Sequence, residues 1–322
     1  MIGTALNEAL IRGMTGAGGV MGRLPLIGVL RDEVVAPVRN ALASDRMPGE
    51  QYTTPPGDPG LFGPGSVTWR VHAHPSMLVA GLAALIQQTA HPLAMAGVTD
   101  HSNYRDDPLG RLARTASFVT ATTYGSTEVA EQMIQSVKAI HARVKGTAPD
   151  GRPYAASDPE LIVWVHMTEV VNFLRAHQRF VPFPVRDEAA DRYYHEMATI
   201  AERMGAHDVP RSRAEARAYF RRIRPELYVS EQAQETIDFL TTPVMAEMGP
   251  LMGLAHRVLI EAAILLLPAW TRDILQLRRS PALLDRTIDW AMLRPATFTM
   301  LAVLQVAGGQ SPELVEARRR CS

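Results

Sequence analysis

The sequence predicts an all-α protein, and two observations support that prediction. Apolar residues recur at helical spacing through most of the chain, whereas only one clear stretch, Val67–His72, resembles a strand. That stretch is too short to found a sheet, and strands do not alternate with helices elsewhere. We therefore expect a single helical domain over residues 66–322, preceded by a loop-rich N-terminal extension over residues 1–65 that contains many glycines and prolines.

Capping residues, prolines and glycines set the expected helix boundaries. The strongest start signal is Ser157-Asp158-Pro159-Glu160, which combines a capping residue, a proline in the first turn and early acids. The helix that it opens should run through Phe173, after a polar loop at 147–153. The other expected helices are Leu26–Leu42 in the extension, then Pro75–Ala90, Arg111–Thr123, Ser126–Lys145, Asp187–Met204, Arg213–Arg222, Ser230–Leu240, Met245–Leu267, Trp270–Leu277, Ala282–Met292, Ala296–Val306 and Pro312–Arg319.

The composition excludes several functional classes. Hydrophobic residues make up 47% of the chain and charged residues 20%, which suits a globular protein rather than a disordered one. Basic and acidic side chains number 33 each, so the protein has no net positive charge that would attract nucleic acid. The single cysteine, Cys321, rules out an internal disulfide and a metal cluster built on cysteine.

The protein is expected to be cytoplasmic. Its first residues, Met1–Glu8, contain no basic stretch followed by a long apolar core, so they do not resemble an export signal. The most apolar run, Val258–Leu267, is interrupted by Glu261 and is too short to span a bilayer. We expect this run to form a buried helix, and peripheral membrane contact remains an open alternative.

No familiar catalytic motif explains the chain. The dinucleotide-binding glycine pattern, the phosphate-binding loop, the nucleophile elbow and the HExxH zinc motif are all absent. A di-iron bundle needs a glutamate three residues before a histidine on two helices, and no histidine in this sequence has that partner. What remains is a set of histidines in apolar, helical surroundings: His91, His101, His141, His166 and His256.

His141 and His166 are the best candidates for chemistry. Each has apolar neighbours on its helix, and a short loop joins the two helices, so we expect them to pack antiparallel. Both imidazoles could then face one cavity, and Glu169, one turn after His166, could orient its ring. The alternative is that each is an ordinary hydrogen-bonded histidine, which is the commoner case in helices.

A helical histidine beside an apolar cavity is what a haem iron needs as its proximal ligand. Haem also needs cations for its propionates. Arg111 is a candidate for that task, with Thr115 one turn later on the same face of the helix. The competing interpretation is an exposed helix start on which Arg111 is simply solvated.

Several short motifs occur in a fixed order along the chain. In chain order they are Thr89-Ala90-His91-Pro92, Asp100-His101-Ser102, Asp107-Pro108-Leu109-Gly110-Arg111-Leu112 with Thr115, Thr123-Tyr124-Gly125, Ile140-His141-Ala142-Arg143-Val144-Lys145-Gly146, Asp150-Gly151-Arg152-Pro153-Tyr154, Trp164-Val165-His166, Asn172-Phe173-Leu174 and Asp191-Arg192-Tyr193-Tyr194. In their order and spacing the chain resembles the oxygenase family that contains the bacterial latex-clearing rubber oxygenases and the fungal oxygenase that trims the farnesyl side chain in mycophenolic acid biosynthesis. The resemblance extends from Trp69 to Pro268.

The resemblance implies an all-α, globin-like fold that holds one b-type haem. By position in the motifs, His141 matches the proximal iron ligand, and Arg111 and Thr115 match the arginine and threonine beside the haem. Rubber oxygenases carry a distal lysine just before that threonine, whereas this chain has Arg114, which does not act as a neutral amine ligand. His166 belongs to the wider family pattern, and the resemblance leaves its role open between distal group, propionate partner and structural residue.

The function that the resemblance implies is a haem b-dependent oxygenase. It would use dioxygen to attack an apolar, unsaturated substrate such as an isoprenoid, a lipid or a natural product, and polymeric rubber outside the cell is not the expected substrate. Two alternatives stay open. Arg114 favours a non-catalytic helical protein that binds haem or lipid, and the combination of His141, His166 and Glu169 suits a non-haem iron(II) site.

Overall fold

The all-α prediction is confirmed. The computed structural model describes Ala36 and residues 52–242, 249–277 and 289–322. Within these ranges the regular elements are helices, apart from one antiparallel sheet of two short strands.

The described elements follow one another with short connections. The strands are β1 (Lys145–Thr147) and β2 (Pro153–Ala155). The helices are α1 (Val67–His72), α2 (Met77–Gln88), α3 (Pro92–His101), α4 (Pro108–Tyr124), α5 (Thr127–His141), α6 (Pro159–Phe180), α7 (Asp187–Met204), α8 (Arg213–Ile223), α9 (Glu231–Thr241), α10 (Pro250–Leu266), α11 (Ala269–Ile274), α12 (Arg294–Gly308) and α13 (Pro312–Cys321), with a 3₁₀ turn at Arg224–Glu226 and a π-helical turn at Asp289–Leu293.

Most predicted helices are present, with ends that differ by a few residues. Asp158 caps α6, because its carboxylate accepts a hydrogen bond from the Glu160 N–H at 2.9 Å, and Pro159 is the first helical residue. The predicted helix Leu26–Leu42 lies outside the described residues apart from Ala36, as does most of the predicted helix Ala282–Met292.

The predicted strand at Val67–His72 is wrong, because these residues form helix α1. The Ser66 hydroxyl accepts a hydrogen bond from the Trp69 N–H at 3.1 Å and so caps the helix. The backbone N–H groups of the first two helical residues donate to the carboxylate of Glu196 in α7, at 3.2 and 2.8 Å. These contacts override the β-propensity of valine, threonine and tryptophan.

The predicted continuation of α5 to Lys145 is also wrong. The helix ends at His141, and the region predicted as a polar loop is part of a hairpin in which Gly146 of β1 lies opposite Tyr154 of β2. A Cβ atom at Gly146 would lie 2.6 Å from the Tyr154 hydroxyl, so the packing of that ring requires glycine there. Gly146 is therefore needed for the packing of the hairpin, and it does not terminate a helix.

Helix α6 forms the centre of the core and packs chiefly against α2, which in turn packs against α10. Trp164 of α6 is fully buried, and its indole N–H donates to the Gln88 carbonyl at 3.3 Å. Asn172 donates to the side-chain oxygen of Gln87 at 2.7 Å, and the amide of Gln87 donates to Thr271 at 3.3 Å. This buried polar row ties α2, α6 and α11 to one another.

No single helix among the described residues is long and apolar enough to cross a membrane. Helices α2 and α3 meet the length and composition criteria only as a pair, and they are bent by 104° at the break before Pro92. The predicted buried helix at Val258–Leu267 is confirmed, since it lies mostly within α10 with Ile260, Ala263 and Leu266 buried.

Helix α13 fastens the segment before α1 to the helical body. The Arg320 side chain is 2% exposed, and its guanidinium donates to the carbonyl groups of Tyr52, Asp58 and Gly125 at 2.7, 2.8 and 3.1 Å. Gly60 approaches the Gly125 carbonyl so closely that any Cβ atom there would clash with it. The turn between α4 and α5 is therefore contacted both by the segment before α1, at Gly60, and by the C-terminal helix, at Arg320.

Candidate active site

Arg111 of α4 and His141 of α5 lie at about the same distance from the turn that joins the two helices. Only Gly125 and Ser126 separate the two helices, which pack against each other and therefore run antiparallel. Arg111 lies 13 residues before the end of α4, and His141 lies 14 residues after the start of α5. At 1.5 Å per residue, both side chains lie about 20 Å from the turn, beside the β-hairpin.

Helix α6 presents His166 near that same level. A ring nitrogen of His72 in α1 lies 2.8 Å from the Thr123 hydroxyl of α4, and the His72 ring stands edge-on to Phe173 of α6, with centroids 5.3 Å apart. Thr115 and His166 precede Thr123 and Phe173 by 8 and 7 residues, and both helices run away from the hairpin. Both residues therefore lie about 10–12 Å from the His72 contact, in the direction of the hairpin.

The region between α4, α5 and α6 is bordered by side chains that keep accessible surface. Helix α6 packs closely on α1, α2 and α7, and makes little close backbone contact with α4 or α5. Each of the three helices has a pair of partly accessible residues one turn apart, namely Thr115 and Val119, Val137 and His141, and Val165 and Glu169. These pairs place apolar and polar surface on three neighbouring helices, and the region between them is called the candidate pocket below.

Arg111 is half-buried, and no carboxylate balances its charge in the described part of the chain. It donates to the Ser102 hydroxyl, and its guanidinium lies 5.9 Å from the centre of the Tyr104 ring. Burial lowers the pKa of Arg111, but an arginine remains charged at neutral pH. Arg114, in contrast, is exposed and pairs with Asp107 at 3.3 Å. Arg111 is thus available to a ligand carboxylate.

His141 ends α5 with a half-buried ring. Its Nδ1 atom is buried and has no hydrogen-bond partner within the described ranges. Burial lowers the pKa of His141, so the imidazole is neutral at neutral pH and keeps a lone pair for a ligand or a metal. A buried polar atom without a partner calls for an explanation, and a bound group that positions this ring would supply one.

His166 is 6% exposed, and burial lowers its pKa to about 4. Glu169, one turn later, was expected to orient the His166 ring, but no hydrogen bond joins the two side chains. Burial raises the pKa of the Glu169 carboxyl to about 7. No three His, Cys, Asp or Glu side chains of the described residues are arranged to hold a metal ion, so His141, His166 and Glu169 do not form the non-haem iron site.

Other residues of the quoted motifs have structural roles. The Tyr154 hydroxyl donates to Asp100 at 2.5 Å, and a ring nitrogen of His101 lies 3.3 Å from the Lys145 carbonyl. These contacts fasten the end of α3 to the hairpin. His91 directly precedes α3 and packs its ring against the core.

The sequence interpretation missed the pairing of His72 with Tyr193. The second ring nitrogen of His72 lies 2.9 Å from the Tyr193 hydroxyl, and both side chains are buried between α1, α6 and α7. His72 fell in the stretch predicted as a strand, which hid its orientation. The available signal was chemical, because a buried histidine and a buried tyrosine each need a hydrogen-bonding partner.

Comparison with known proteins agrees with the family resemblance. A family model described as "ER-bound oxygenase mpaB/B'/Rubber oxygenase, catalytic domain" matches residues 69–297, which is most of the chain. The match begins at Trp69, where the quoted resemblance also begins, and includes the whole of α4, α5 and α6. No curated protein and no solved structure matches the chain. The chain therefore belongs to the family of the mpaB and rubber oxygenases, and the domain that it shares with them is an oxygenase catalytic domain.

Proposed function

We propose that this oxygenase depends on haem b and acts with dioxygen on an apolar, unsaturated small molecule. The observation that carries the proposal is that Arg111 of α4 and His141 of α5 lie at about the same distance from the turn between these helices. Arg111 lacks a carboxylate partner and His141 lacks a hydrogen-bond partner among the described residues. A half-buried cation and a neutral imidazole beside an apolar pocket are the groups that bind a haem propionate and a haem iron.

Each group has a defined task in this proposal. His141 would hold the haem iron through its neutral imidazole, whose Nδ1 atom has no other partner among the described residues. Arg111 binds a propionate, and its hydrogen bond to Ser102 orients the guanidinium. Thr115 donates its hydroxyl to the Arg111 carbonyl at 3.2 Å and can instead donate to a polar ligand atom in the pocket. When bound, the haem supplies an iron centre that binds and activates dioxygen.

The apolar side chains of the pocket favour an apolar substrate. Val119, Val137 and Val165 keep accessible surface on three neighbouring helices. Val165 is 36% exposed although it lies in a turn of α6 whose other residues are buried. An isoprenoid, a lipid or a similar natural product would cover these surfaces and exclude water from the reacting atoms.

His166 and Arg114 distinguish this pocket from that of the rubber oxygenases. Arg114 is paired with Asp107 at the surface, so it is not held as a distal group over the pocket. His166 is buried and neutral, and it lies on the side of α6 that also carries Glu169 and Phe173. We assign His166 to the part of the candidate pocket that α6 borders, where a neutral imidazole can donate or accept one hydrogen bond.

An absorption spectrum tests the proposed function. Full-length protein produced with added haem should show a Soret band that shifts on reduction. His256→Ala should retain this band, because His256 lies on α10 and not on the three helices of the candidate pocket. The same protein should take up dioxygen with unsaturated isoprenoids or lipids. Absence of a Soret band after haem addition would overturn the haem assignment, and haem without uptake across such a substrate panel would favour the non-catalytic alternative.

A further inference from the structure

Glu169 is a carboxyl group that the proposed haem pocket does not explain. It lies in the middle of α6, three residues after His166 and four before Phe173. These three residues lie on one side of the helix, since residues three and four apart share a face. The Glu169 side chain is half-buried, and it makes no hydrogen bond or ion pair in the described part of the chain.

A second glutamate of the same core shows the difference that partners make. The carboxylate of Glu196 accepts hydrogen bonds from the backbone N–H groups of Val67 and Thr68, from the Thr68 hydroxyl at 2.9 Å and from Arg192 at 2.8 Å. Glu169 has no comparable donor, so the neutral carboxylic acid is the form that its surroundings favour.

The charged and titratable groups near Glu169 do not reverse that preference. Tyr193 faces it from α7, and burial, Tyr194 and Glu169 itself raise the pKa of Tyr193 well above its usual range. Behind Tyr193 stands His72 of α1, whose pKa burial lowers to about 3. His166 on the same helix is neutral as well. Neither Arg111 nor His141 contributes to the pKa of Glu169, which burial alone raises to about 7.

The hydroxyl of Tyr193 is fixed in place by its neighbours. It lies 2.9 Å from one ring nitrogen of His72, and the other ring nitrogen lies 2.8 Å from the Thr123 hydroxyl. A neutral imidazole has one N–H donor and one acceptor, so one of the two hydroxyls must donate to it and the other must accept. The hydrogen bond of the Tyr193 hydroxyl is therefore made with His72 and not with Glu169.

We propose that Glu169 is the proton donor of this active site. It presents a protonated carboxyl group to the candidate pocket between α4, α5 and α6, with Tyr193 of α7 as a titratable neighbour. The O–H bond of Glu169 breaks as a new O–H bond forms on a reactant oxygen that gains negative charge during oxygen insertion. The carboxylate that remains takes the same proton back when the O–H bond on the reactant breaks as the product forms, so the cycle consumes no net proton. This inference rests on the proposed function only in that the reaction occurs in this pocket.

Infrared spectroscopy of the full-length protein tests the protonation directly and without turnover. Near pH 6 the protein should show the carbonyl stretching band of a protonated carboxyl group, and this band should fade with a midpoint near pH 7. Glu169→Gln should abolish the band. Glu196→Gln is the matched control and should leave it unchanged, because the Glu196 side chain already accepts hydrogen bonds from Thr68 and Arg192. A wild-type protein without the band, or a band that survives Glu169→Gln, overturns the proposal.

Kinetics with an accepted substrate test the donor role separately. Glu169→Gln should lower kcat about 100-fold while the Soret band and KM stay unchanged, and Glu169→Asp should restore part of the loss. In the wild type, kcat should fall as the pH rises through the midpoint found by infrared. If kcat survives Glu169→Gln, Glu169 is not the donor. If the infrared band is present but the protein binds no haem, the proposed function fails while the protonation of Glu169 stands.

Discussion

The ring of His72 stands edge-on to Phe173 at 5.3 Å, and this contact sets the level of α6 relative to α4. His72 reaches Thr123 with one ring nitrogen and Tyr193 with the other, so a single buried side chain joins α1, α4, α6 and α7. The positions of His166 and Thr115 in the pocket follow from this connection, because each lies about two turns away along its own helix.

Loss of the His72 connection should destabilise the fold. His72→Leu leaves two buried hydroxyl groups, of Thr123 and Tyr193, without their partner, so the free energy of unfolding in urea should fall by about 3 kcal/mol. Tyr193→Phe removes only one hydrogen bond and should cost about 1 kcal/mol. A His72→Leu protein with unchanged stability would contradict the structural role of this residue.

The buried histidines should make the protein sensitive to acid. Burial lowers the pKa of His91 and of His166 to about 4, whereas both rings have ordinary values near 6.5 in the unfolded chain. Because the unfolded state binds more protons in this range, stability is complete above about pH 6.5 and is lost as the pH falls towards 4. Each such histidine contributes about 1.4 kcal/mol per pH unit.

Urea unfolding at several pH values between about 7 and about 4.5 measures this dependence. His166→Gln should reduce the slope by the share of one histidine, whereas replacement of the exposed His101 should leave it unchanged. An unchanged slope in His166→Gln would mean that His166 takes up a proton in the folded protein.

The contacts of Arg320 should matter more than those of its neighbour Arg319. Arg320→Ala removes charged hydrogen bonds to three carbonyl groups in a buried place, and the free energy of unfolding should fall by about 3 kcal/mol. Arg319 is 70% exposed and pairs with the nearby Glu316, so Arg319→Ala should change stability by less than about 0.5 kcal/mol. Equal effects of the two substitutions would show that the C-terminal helix does not depend on this buried guanidinium.

The two arginines at the start of α4 should differ in their effect on haem binding. Arg111→Ala removes the unbalanced cation beside the pocket and should weaken haem affinity about tenfold, which corresponds to about 1.4 kcal/mol. Arg114→Ala is the matched control and should leave the affinity unchanged, because Arg114 is paired at the surface. Titration of each apoprotein with haem measures the affinities. The opposite ranking would place the propionates at Arg114.

The sequence predicts the helices well wherever a local signal sets their ends. Asp158 and Pro159 fix the start of α6, and the motif order identifies the family. The prediction is wrong at Val67–His72 because Glu196, far along the chain, supplies the acceptor for the first turn of α1. The raised pKa of the Glu169 carboxyl could not be predicted either, because it depends on burial and on the absence of hydrogen-bonding neighbours in the folded protein.

The proposed haem site depends most on His141, which would hold the haem iron from the end of α5. The direct measurement is the absorption spectrum of His141→Gly, recorded with haem in the absence and presence of free imidazole. We expect the variant to lose the Soret band of the wild type and to regain it when imidazole fills the space of the missing side chain. A variant that keeps the wild-type band without imidazole would contradict the assignment of His141 and would move the ligand to another residue.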